Sequence, residues 1–283
     1  MRGSAPPAAH VTPPPAPRKA ALAFIFLVVL IDVLAFGLII PVLPHLVEEF
    51  TGSTSQAALW IGVFGTVFAA IQFVCSPIQG ALSDRYGRRP VILLSCLGLG
   101  LDFVIMALAP TLWWLLLARV FSGVFSASFT TANAYIADIT PPDLRAKSYG
   151  LVGAAFGVGF TIGPVIGGWL GEFDLRLPFW FAAGLALLNF CYGLFVLPES
   201  LAPDKRRPFE WKRANPLSAL KRLSELQGVG PLALVVAFAA LAQFTLHSSW
   251  VLYTTFKFGW GPAQNGWSLF VVGVMSFLVQ GVL

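Results

Sequence analysis

Long, unbroken apolar runs constrain this chain more than any other feature of its sequence. An α-helix needs about 20 mostly apolar residues to cross the hydrocarbon core of a bilayer. We predict membrane spans at roughly 21–43, 57–79, 90–109, 112–136, 147–170, 177–197, 229–251 and 266–283. Because a segment in lipid must satisfy its own backbone hydrogen bonds, each of these runs is predicted to be a helix.

The composition excludes several classes of protein. Of the 283 residues, 57% are hydrophobic and 11% are charged, whereas globular domains have about 45–50% apolar and about 25% charged residues. A soluble enzyme, a disordered chain and a nucleic-acid-binding domain are therefore excluded. A transmembrane β-barrel is excluded too, because its strands alternate polar and apolar residues. We predict an all-α polytopic membrane protein.

The sequence contains no pattern typical of an enzyme or of a cofactor site. It has no Ser/His/Asp, HExxH or phosphate-loop arrangement, and the three cysteines lie in apolar runs without a CxxC spacing. We therefore expect no enzymatic activity, no resident cofactor or metal, no disulfide and no nucleic-acid partner. The cysteines are Cys75, Cys96 and Cys191.

The positions of the basic residues predict the orientation of the spans. Of the 18 lysines and arginines, 15 fall before the first span or in alternate loops after it. Arg176 and Lys257 fall in the opposite loops, and Arg119 lies inside a span. Under the positive-inside rule, this division places the N-terminus in the cytoplasm.

Shifts in composition divide the chain into four segments. Residues 1–20 contain six prolines and no apolar core, and we predict a disordered cytoplasmic arm there. A six-helix transmembrane bundle follows at 21–197. The basic, proline-containing segment 198–228 is predicted to be a cytoplasmic linker, either a plain tether or a carrier of short amphipathic helices near 216–226. Residues 229–283 would begin a second bundle.

Three charged residues lie clearly inside predicted spans: Asp32, Asp102 and Arg119. An ionisable group at membrane depth costs about 2.5–3.5 kcal/mol on insertion scales, so each is a candidate functional residue. A carboxylate in an enclosed cavity, balanced by an arginine, could bind and release a proton. The alternative is a permanent ion pair that fixes helix packing. His247, in the seventh span, is either a packed neutral side chain or part of a cavity wall.

The loop after the second span is short and rich in arginine and glycine. Gly87 permits a tight turn, and Gly80 would let two helices approach closely. The charged side chains could form a bonded set in one conformation and break it in another, although a turn with a positive-inside anchor is the alternative. The residues of this candidate cytoplasmic gate are Gly80, Asp84, Arg85, Gly87, Arg88 and Arg89.

The fifth span has small residues at helical spacing. Glycines four residues apart let helices cross closely, and a proline inside a helix removes a backbone hydrogen bond. The segment is therefore either a tightly packed helix only or a pliable helix that seals a cavity. The key residues are Gly157, Gly163, Pro164, Gly167 and Gly168.

Together these motifs resemble the major facilitator superfamily. The runs CSPIQGALSDRYGRRPVILLS, AYIADITPPDLRAKSYGL and FGVGFTIGPVIGGWLG are similar to its drug:proton antiporters, especially the tetracycline-resistance efflux group. Arg119 to Gly123 resembles the helix-4 motif, with Ser122 where a glutamine is common. Asp32 with Gly37 and the segment 41–44 resembles the helix-1 motif.

The resemblance implies a protein of two six-helix halves. This chain would contain the first half and about two helices of the second, so that it resembles a truncated member of the family. It implies proton-coupled export of a small amphiphilic compound, such as tetracycline, by alternating access. Asp32, Asp102 and Arg119 would then take part in proton coupling. The implied location is the inner (plasma) membrane, with the lipid bilayer, protons and a small-molecule substrate as partners. The oligomeric state stays open.

Two alternatives to drug export remain at this point. One is a facilitator-type exporter of another compound, such as a sugar or a different drug. The other is a chain that inserts in the membrane but does not transport. The stretch Thr254-Thr255-Phe256-Lys257 lacks the acidic residues expected beyond helix 7 in tetracycline exporters.

Overall fold

The computed structural model describes residues 19–126, 128–225 and 229–282, and every regular element within these ranges is helical. Residues 1–18, which make up most of the predicted arm, lie outside the described residues. The helices are α1 Lys19–Ile39, α2 Leu43–Thr51, α3 Thr54–Tyr86, α4 Arg88–Leu108, α5 Leu112–Phe125, α6 Ser128–Ile139, α7 Arg145–Phe173, α8 Leu177–Val196, α9 Trp211–Ala214, α10 Pro216–Glu225, α11 Val229–Phe258 and α12 Pro262–Val282.

The predicted spans correspond to these helices. Within the described ranges, seven helical segments are long and apolar enough to cross a membrane. They match the first seven predicted spans, and α12 occupies the position of the eighth over 21 residues. The chain is therefore a multi-pass, all-helical membrane protein, as predicted.

The fourth predicted span is not one continuous helix, since α5 ends at Phe125 and α6 begins at Ser128. The side-chain amide of Gln79, on α3, donates to the carbonyl oxygen of Val124. The Ser126 hydroxyl donates to the carbonyl oxygen of Gly123 at 3.0 Å. Two carbonyl groups at the end of α5 thus accept hydrogen bonds from side chains.

Glycine and capping side chains mark the helix ends. Gly87, between α3 and α4, has φ +111°, a conformation that only glycine adopts without strain. Gly52 ends α2 with φ +70°. At the start of α3, the Ser53 hydroxyl accepts a hydrogen bond from the backbone N–H of Gln56 at 3.3 Å, which is a standard N-cap.

The described helices pack on one another in pairs. Helix α1 lies against α7 and α8, α4 packs on α8 and α5, α3 packs on α5, and α7 also packs on α12. Two clusters of buried apolar side chains fill the bundle. The larger cluster includes Leu38, Phe64, Met106 and Phe179. The smaller one includes Ile25, Ile92, Tyr135 and Leu197.

Glycines let α7 approach α1 and α12 closely. A Cβ atom added at Gly163 would lie 2.9 Å from the Cα of Gly37. One added at Gly167 would overlap the carbonyl oxygen of Leu38, and one at Gly168 would overlap the carbonyl oxygen of Pro262. The backbones therefore pack directly on one another at these crossings.

Gly157 and Gly80 differ from this expectation. A Cβ atom added at either position would meet no described atom within 4 Å. No described helix therefore approaches closely at either position, and the prediction of a close helix approach is wrong for both residues.

The linker segment packs against the bundle rather than standing away from it. Helix α9 contacts α3, and Ala214 is 1% exposed. The backbone N–H of Arg207 donates to the carbonyl oxygen of Asp84 at 3.1 Å. Helix α10 lies in the stretch near 216–226, for which a short amphipathic helix was one of the two predicted alternatives.

Candidate functional site

A buried ion pair joins α4 to α5 inside the bundle. Asp102 is 0% exposed and Arg119 is 9% exposed. Their Oδ2 and Nη2 atoms are 3.3 Å apart. The hydroxyl of Ser122 donates to the same carboxylate oxygen, and Arg119 Nη2 also lies 2.7 Å from the sulfur of Met106. We call these four residues the Asp102 cluster.

The Asp102 cluster is not fully satisfied. Within the described residues, Asp102 Oδ1 and Arg119 Nε are buried and have no hydrogen-bond partner. Buried polar atoms are normally paired, and an unpaired one is a feature that calls for an explanation. A carboxylate with one unbonded oxygen can accept a proton there while the other oxygen keeps its contacts with Arg119 and Ser122.

Asp32 lies on α1 and is held by a different residue. Its Oδ1 atom accepts a hydrogen bond from the side-chain amide of Asn189, on α8, at 3.2 Å. The same amide donates to the carbonyl oxygen of Val28 at 3.2 Å, and Asn189 is 1% exposed. The structure therefore brings Asp102 and Arg119 together and places Asp32 beside Asn189.

The turn between α3 and α4 carries a second polar group, centred on Arg88. The Arg88 guanidinium lies 2.6 Å from Asp84 Oδ1 and 3.1 Å from Asp138 Oδ2, at the end of α6. It also donates to the Ser83 hydroxyl at 2.6 Å. The guanidinium thus connects the ends of α3 and α6 to the start of α4.

Glu199 completes this group from the segment that follows α8. Its carboxylate accepts the backbone N–H of Arg88 at 2.9 Å and that of Arg89 at 3.3 Å. A carboxylate at the N-terminus of a helix satisfies unpaired N–H groups and the positive end of the helix dipole. We call Ser83, Asp84, Arg88, Asp138 and Glu199 the Arg88 network.

The remaining predicted gate residues have other roles. Arg89 donates to the carbonyl oxygen of Leu194 at 2.7 Å. Gly87 makes the turn and lies directly beneath the Glu199 carboxylate, where a Cβ atom would overlap the carboxylate oxygens. Arg85 differs from the prediction, because its side chain lies outside the Arg88 network. Its Cζ atom lies over the ring of Tyr86, 5.0 Å from the ring centroid.

Several residues in contact with the predicted site residues were not assigned a role from the sequence. Asn189 is a polar residue within an apolar run, which was a usable signal. Asp138 lies just beyond the fourth predicted span, and nothing in the local sequence names Arg88 as its partner. Glu199 follows the end of the sixth span directly, and nothing in the local sequence links it to Arg88.

The described residues include no group of three or more His, Cys, Asp or Glu side chains that could hold a metal ion. The Asp102 cluster and the turn between α3 and α4 present carboxylates, guanidinium groups and hydroxyls. A carboxylate can bind and release a proton, whereas a guanidinium group stays charged and acts as its ion-pair partner.

The family model described as Major Facilitator Superfamily matches residues 25–283. "Tetracycline resistance protein, class C" of Escherichia coli is 40% identical over 260 residues, which cover 92% of this chain and 65% of that protein. "Tetracycline resistance protein, class E" of Escherichia coli is 37% identical over 265 residues, which cover 93% of this chain and 64% of that protein. The chain thus spans slightly less than two thirds of the length of these relatives.

A solved structure shows the same arrangement of helices. The human organic anion transporter MFSD10 matches with a TM-score of 0.73 and 26% sequence identity. The match covers 91% of this chain and 70% of the transporter.

Proposed function

The chain belongs to the major facilitator superfamily, and we propose that it functions as a proton-coupled exporter of a small amphiphilic drug by alternating access. The Asp102 cluster is the single observation that carries this proposal. A carboxylate and a guanidinium are kept at membrane depth at a considerable free-energy cost. Their incomplete hydrogen bonding is consistent with a group that gains and loses a proton.

The proposed coupling follows from charge balance. Protonation of Asp102 removes its negative charge, which weakens its attraction to Arg119 and leaves the guanidinium without a counter-ion. A rearrangement of α4 against α5 then becomes less costly. Asp32, held by Asn189 on a neighbouring helix, is the second proposed proton-binding residue. Two bundles that rock about a midplane site would use this change to alternate their access.

The Arg88 network is the proposed cytoplasmic gate. It joins the ends of α3, α4 and α6 to the segment after α8 by bonds that a sliding motion would break. Charge-assisted hydrogen bonds contribute about 1.5–3 kcal/mol each, which is enough to bias a two-state equilibrium by about tenfold or more. Gly163, Pro164, Gly167 and Gly168 are proposed to keep α7 packed on its neighbours during this motion.

Replacing Asp84 with asparagine tests the gate. We expect Asp84→Asn to lower the initial rate of drug transport about tenfold, because the charge-assisted bond to Arg88 is weakened. Expression and thermal stability should be close to those of the wild type. The matched control is Arg85→Gln, which removes a neighbouring charge outside the network and should leave the rate within about twofold. Equal rates in both variants would contradict the gate.

The organisation of the chain in the membrane is part of the proposal. We propose that residues 21–197 form the first bundle, that 198–228 is a cytoplasmic linker and that 229–283 begin a second bundle. The distribution of basic residues supports a cytoplasmic N-terminus in the inner (plasma) membrane. The proposed partners are protons, the lipid bilayer and a small-molecule substrate, and the family assignment fits a chain that is not an enzyme.

Tetracycline is the first substrate to test, because the relatives of 40% and 37% identity are named as tetracycline resistance proteins. An organic anion is the second candidate, on the name of the solved structure at 26% identity.

The test uses inverted membrane vesicles that contain the chain. An imposed proton gradient should drive tetracycline into the vesicles, and a protonophore should abolish the accumulation. A parallel panel of an organic anion and a sugar measures selectivity. Accumulation that does not respond to the gradient would contradict proton coupling. No accumulation of any compound would contradict transport by this chain.

A further inference from the structure

A polar contact joins α2 to α12 at the end of the molecule opposite to the Arg88 network. The Nε2 atom of His45, on α2, lies 3.5 Å from the side-chain nitrogen of Asn265, on α12. Helix α3 begins just after α2 and ends beside the Arg88 network, so its length separates the two polar groups. Because α2 belongs to the first proposed bundle and α12 to the second, the contact links the two bundles.

The orientation of the Asn265 amide is fixed by its neighbours. Its oxygen accepts a hydrogen bond from the Thr254 hydroxyl. Its nitrogen donates to the carbonyl oxygens of Gly261 at 3.0 Å and Trp260 at 3.3 Å. Turning the amide over would place its oxygen against these carbonyl oxygens. Since Asn265 is 0% exposed, that change would leave buried polar atoms unpaired, and the nitrogen therefore stays directed toward His45.

This arrangement requires a neutral imidazole in which Nε2 carries no proton. An unprotonated Nε2 can accept a hydrogen bond from the Asn265 amide, whereas a protonated histidine has an N–H group on both ring nitrogens. Protonation of His45 would place that N–H group against the amide NH2 group, so that attraction becomes repulsion. Because histidine titrates between about pH 5 and pH 8, the contact depends on pH across this range.

Two carboxylates are placed to attract a protonated His45. Glu48 lies one turn further along α2, Glu172 lies at the end of α7, and both charges act on His45. Helix α12 has no charged residue. Lys257, in the last turn of α11, lies over the ring of Tyr253, with its Nζ atom 5.4 Å from the ring centroid. A positive charge on His45 is therefore drawn to the first bundle and away from Asn265.

Glu172 also holds the start of α12. Its carboxylate accepts a hydrogen bond from the backbone N–H of Ala263 at 3.1 Å. The two helices are in direct backbone contact there, because a Cβ atom added at Gly168 would overlap the carbonyl oxygen of Pro262. An imidazolium that attracts the Glu172 carboxylate weakens its bond to Ala263. A single proton on His45 thus acts on both of these polar contacts with α12.

We propose that His45, Glu172 and Asn265 form a proton-sensitive gate at this end of the molecule, which we call the outer gate. In the structure the outer gate is closed, because α2 and α7 hold the start of α12. Protonation of His45 breaks its contact with Asn265 and lets this end open. The inference rests on the proposed alternating access and names residues that regulate it. In the proposed orientation this end faces away from the cytoplasm, so external protons open the side on which the drug leaves.

The test measures how accessible a buried position beside the outer gate is in the purified full chain in detergent. Val42→Cys introduces a thiol there, because Val42 is 0% exposed. A Cβ atom added at Gly171 would lie 2.9 Å from the Val42 side chain and 3.1 Å from that of Pro262, so α7 and α12 meet beside it. The rate of alkylation by a water-soluble maleimide is measured from about pH 8 to about pH 5. Peptide mass spectrometry separates this thiol from the native cysteines.

The reference is the same thiol in a chain that also carries His45→Gln. Glutamine can accept a hydrogen bond from Asn265 but does not titrate, so the ratio of the two rates removes the pH dependence of the thiol itself. The matched control is His247→Gln, which removes an imidazole that packs on Phe160, with 4.9 Å between the ring centroids. His45→Lys supplies a permanent positive charge. Hydrogen exchange at the start of α12 gives the same comparison without the introduced thiol.

We expect the relative alkylation rate with His45 present to rise about tenfold from about pH 8 to about pH 5, as for the loss of one hydrogen bond. His247→Gln should show the same rise, and His45→Lys should be fast at both pH values. Hydrogen exchange at the start of α12 should accelerate in parallel. A relative rate that does not change with pH would overturn the outer gate, whatever transport shows. A rise that depends on His45 without gradient-driven transport would refute the export function alone.

Discussion

Asp102→Asn is expected to abolish gradient-driven accumulation of drug while the protein still inserts and binds the drug. The asparagine side chain has nearly the same shape as aspartate and can still accept hydrogen bonds from Arg119 and Ser122. It cannot gain or lose a proton in the working pH range. The assay is accumulation in inverted vesicles under an imposed proton gradient, with equal amounts of each variant in the membrane.

A double variant separates coupling from packing. Arg119→Leu alone should be strongly destabilising, by about 3–5 kcal/mol, because it leaves a buried carboxylate without its partner. Combining it with Asp102→Asn should restore most of that stability, since no uncompensated charge remains. If the pair served only to fix the helices, the double variant would also recover transport. Our account expects stability to return and transport to stay absent.

Gly167→Ala is expected to destabilise the fold at the crossing of α1 and α7. The added methyl group would overlap the carbonyl oxygen of Leu38 on α1, and a backbone atom cannot rotate away as a side chain does. Overpacking of this kind costs about 1–3 kcal/mol. The measurement is the unfolding of the purified variant in detergent, together with the yield of folded protein from the membrane.

Gly157→Ala is the matched control on the same helix. Its added methyl group would meet no described atom, and alanine is about 1 kcal/mol more favourable than glycine in a helix interior. This variant should be as stable as the wild type or more so. Equal losses in both variants would show that the crossing of α1 and α7 is not the cause.

The helices could be predicted from the sequence because they depend on local properties. The length of each apolar run determines whether it can cross a bilayer. All seven of the membrane-spanning segments in the described residues could be predicted in this way. The turn at Gly87 was also predictable, because glycine between two helices indicates an unusual backbone conformation. Asp102 and Arg119 stood out because a charge within an apolar run is costly wherever it lies.

What the sequence could not predict depends on contacts between distant segments. The break after Phe125 involves the side chain of Gln79, which lies 45 residues away from its partner Val124. Glu199 reaches Arg88 across 111 residues. The contrast between Gly157 and Gly167 depends on which face of α7 is covered by α1, and two glycines on one helix look alike in the sequence.

The same limit applies to the charges. From the sequence alone, either Asp32 or Asp102 could be the partner of Arg119. Helix packing decides the pairing, because α4 lies against α5 while α1 lies against α8. Asp102 therefore bonds to Arg119, and Asp32 bonds to Asn189.

Proton release on drug binding tests the coupling most directly. Purified protein in detergent, in a weakly buffered solution near neutral pH, is mixed with tetracycline, and the pH change is recorded. Our account predicts that the wild type releases protons and that Asp102→Asn binds the drug with a much smaller release. The same release from both proteins would contradict the assignment of the exchanged proton to Asp102.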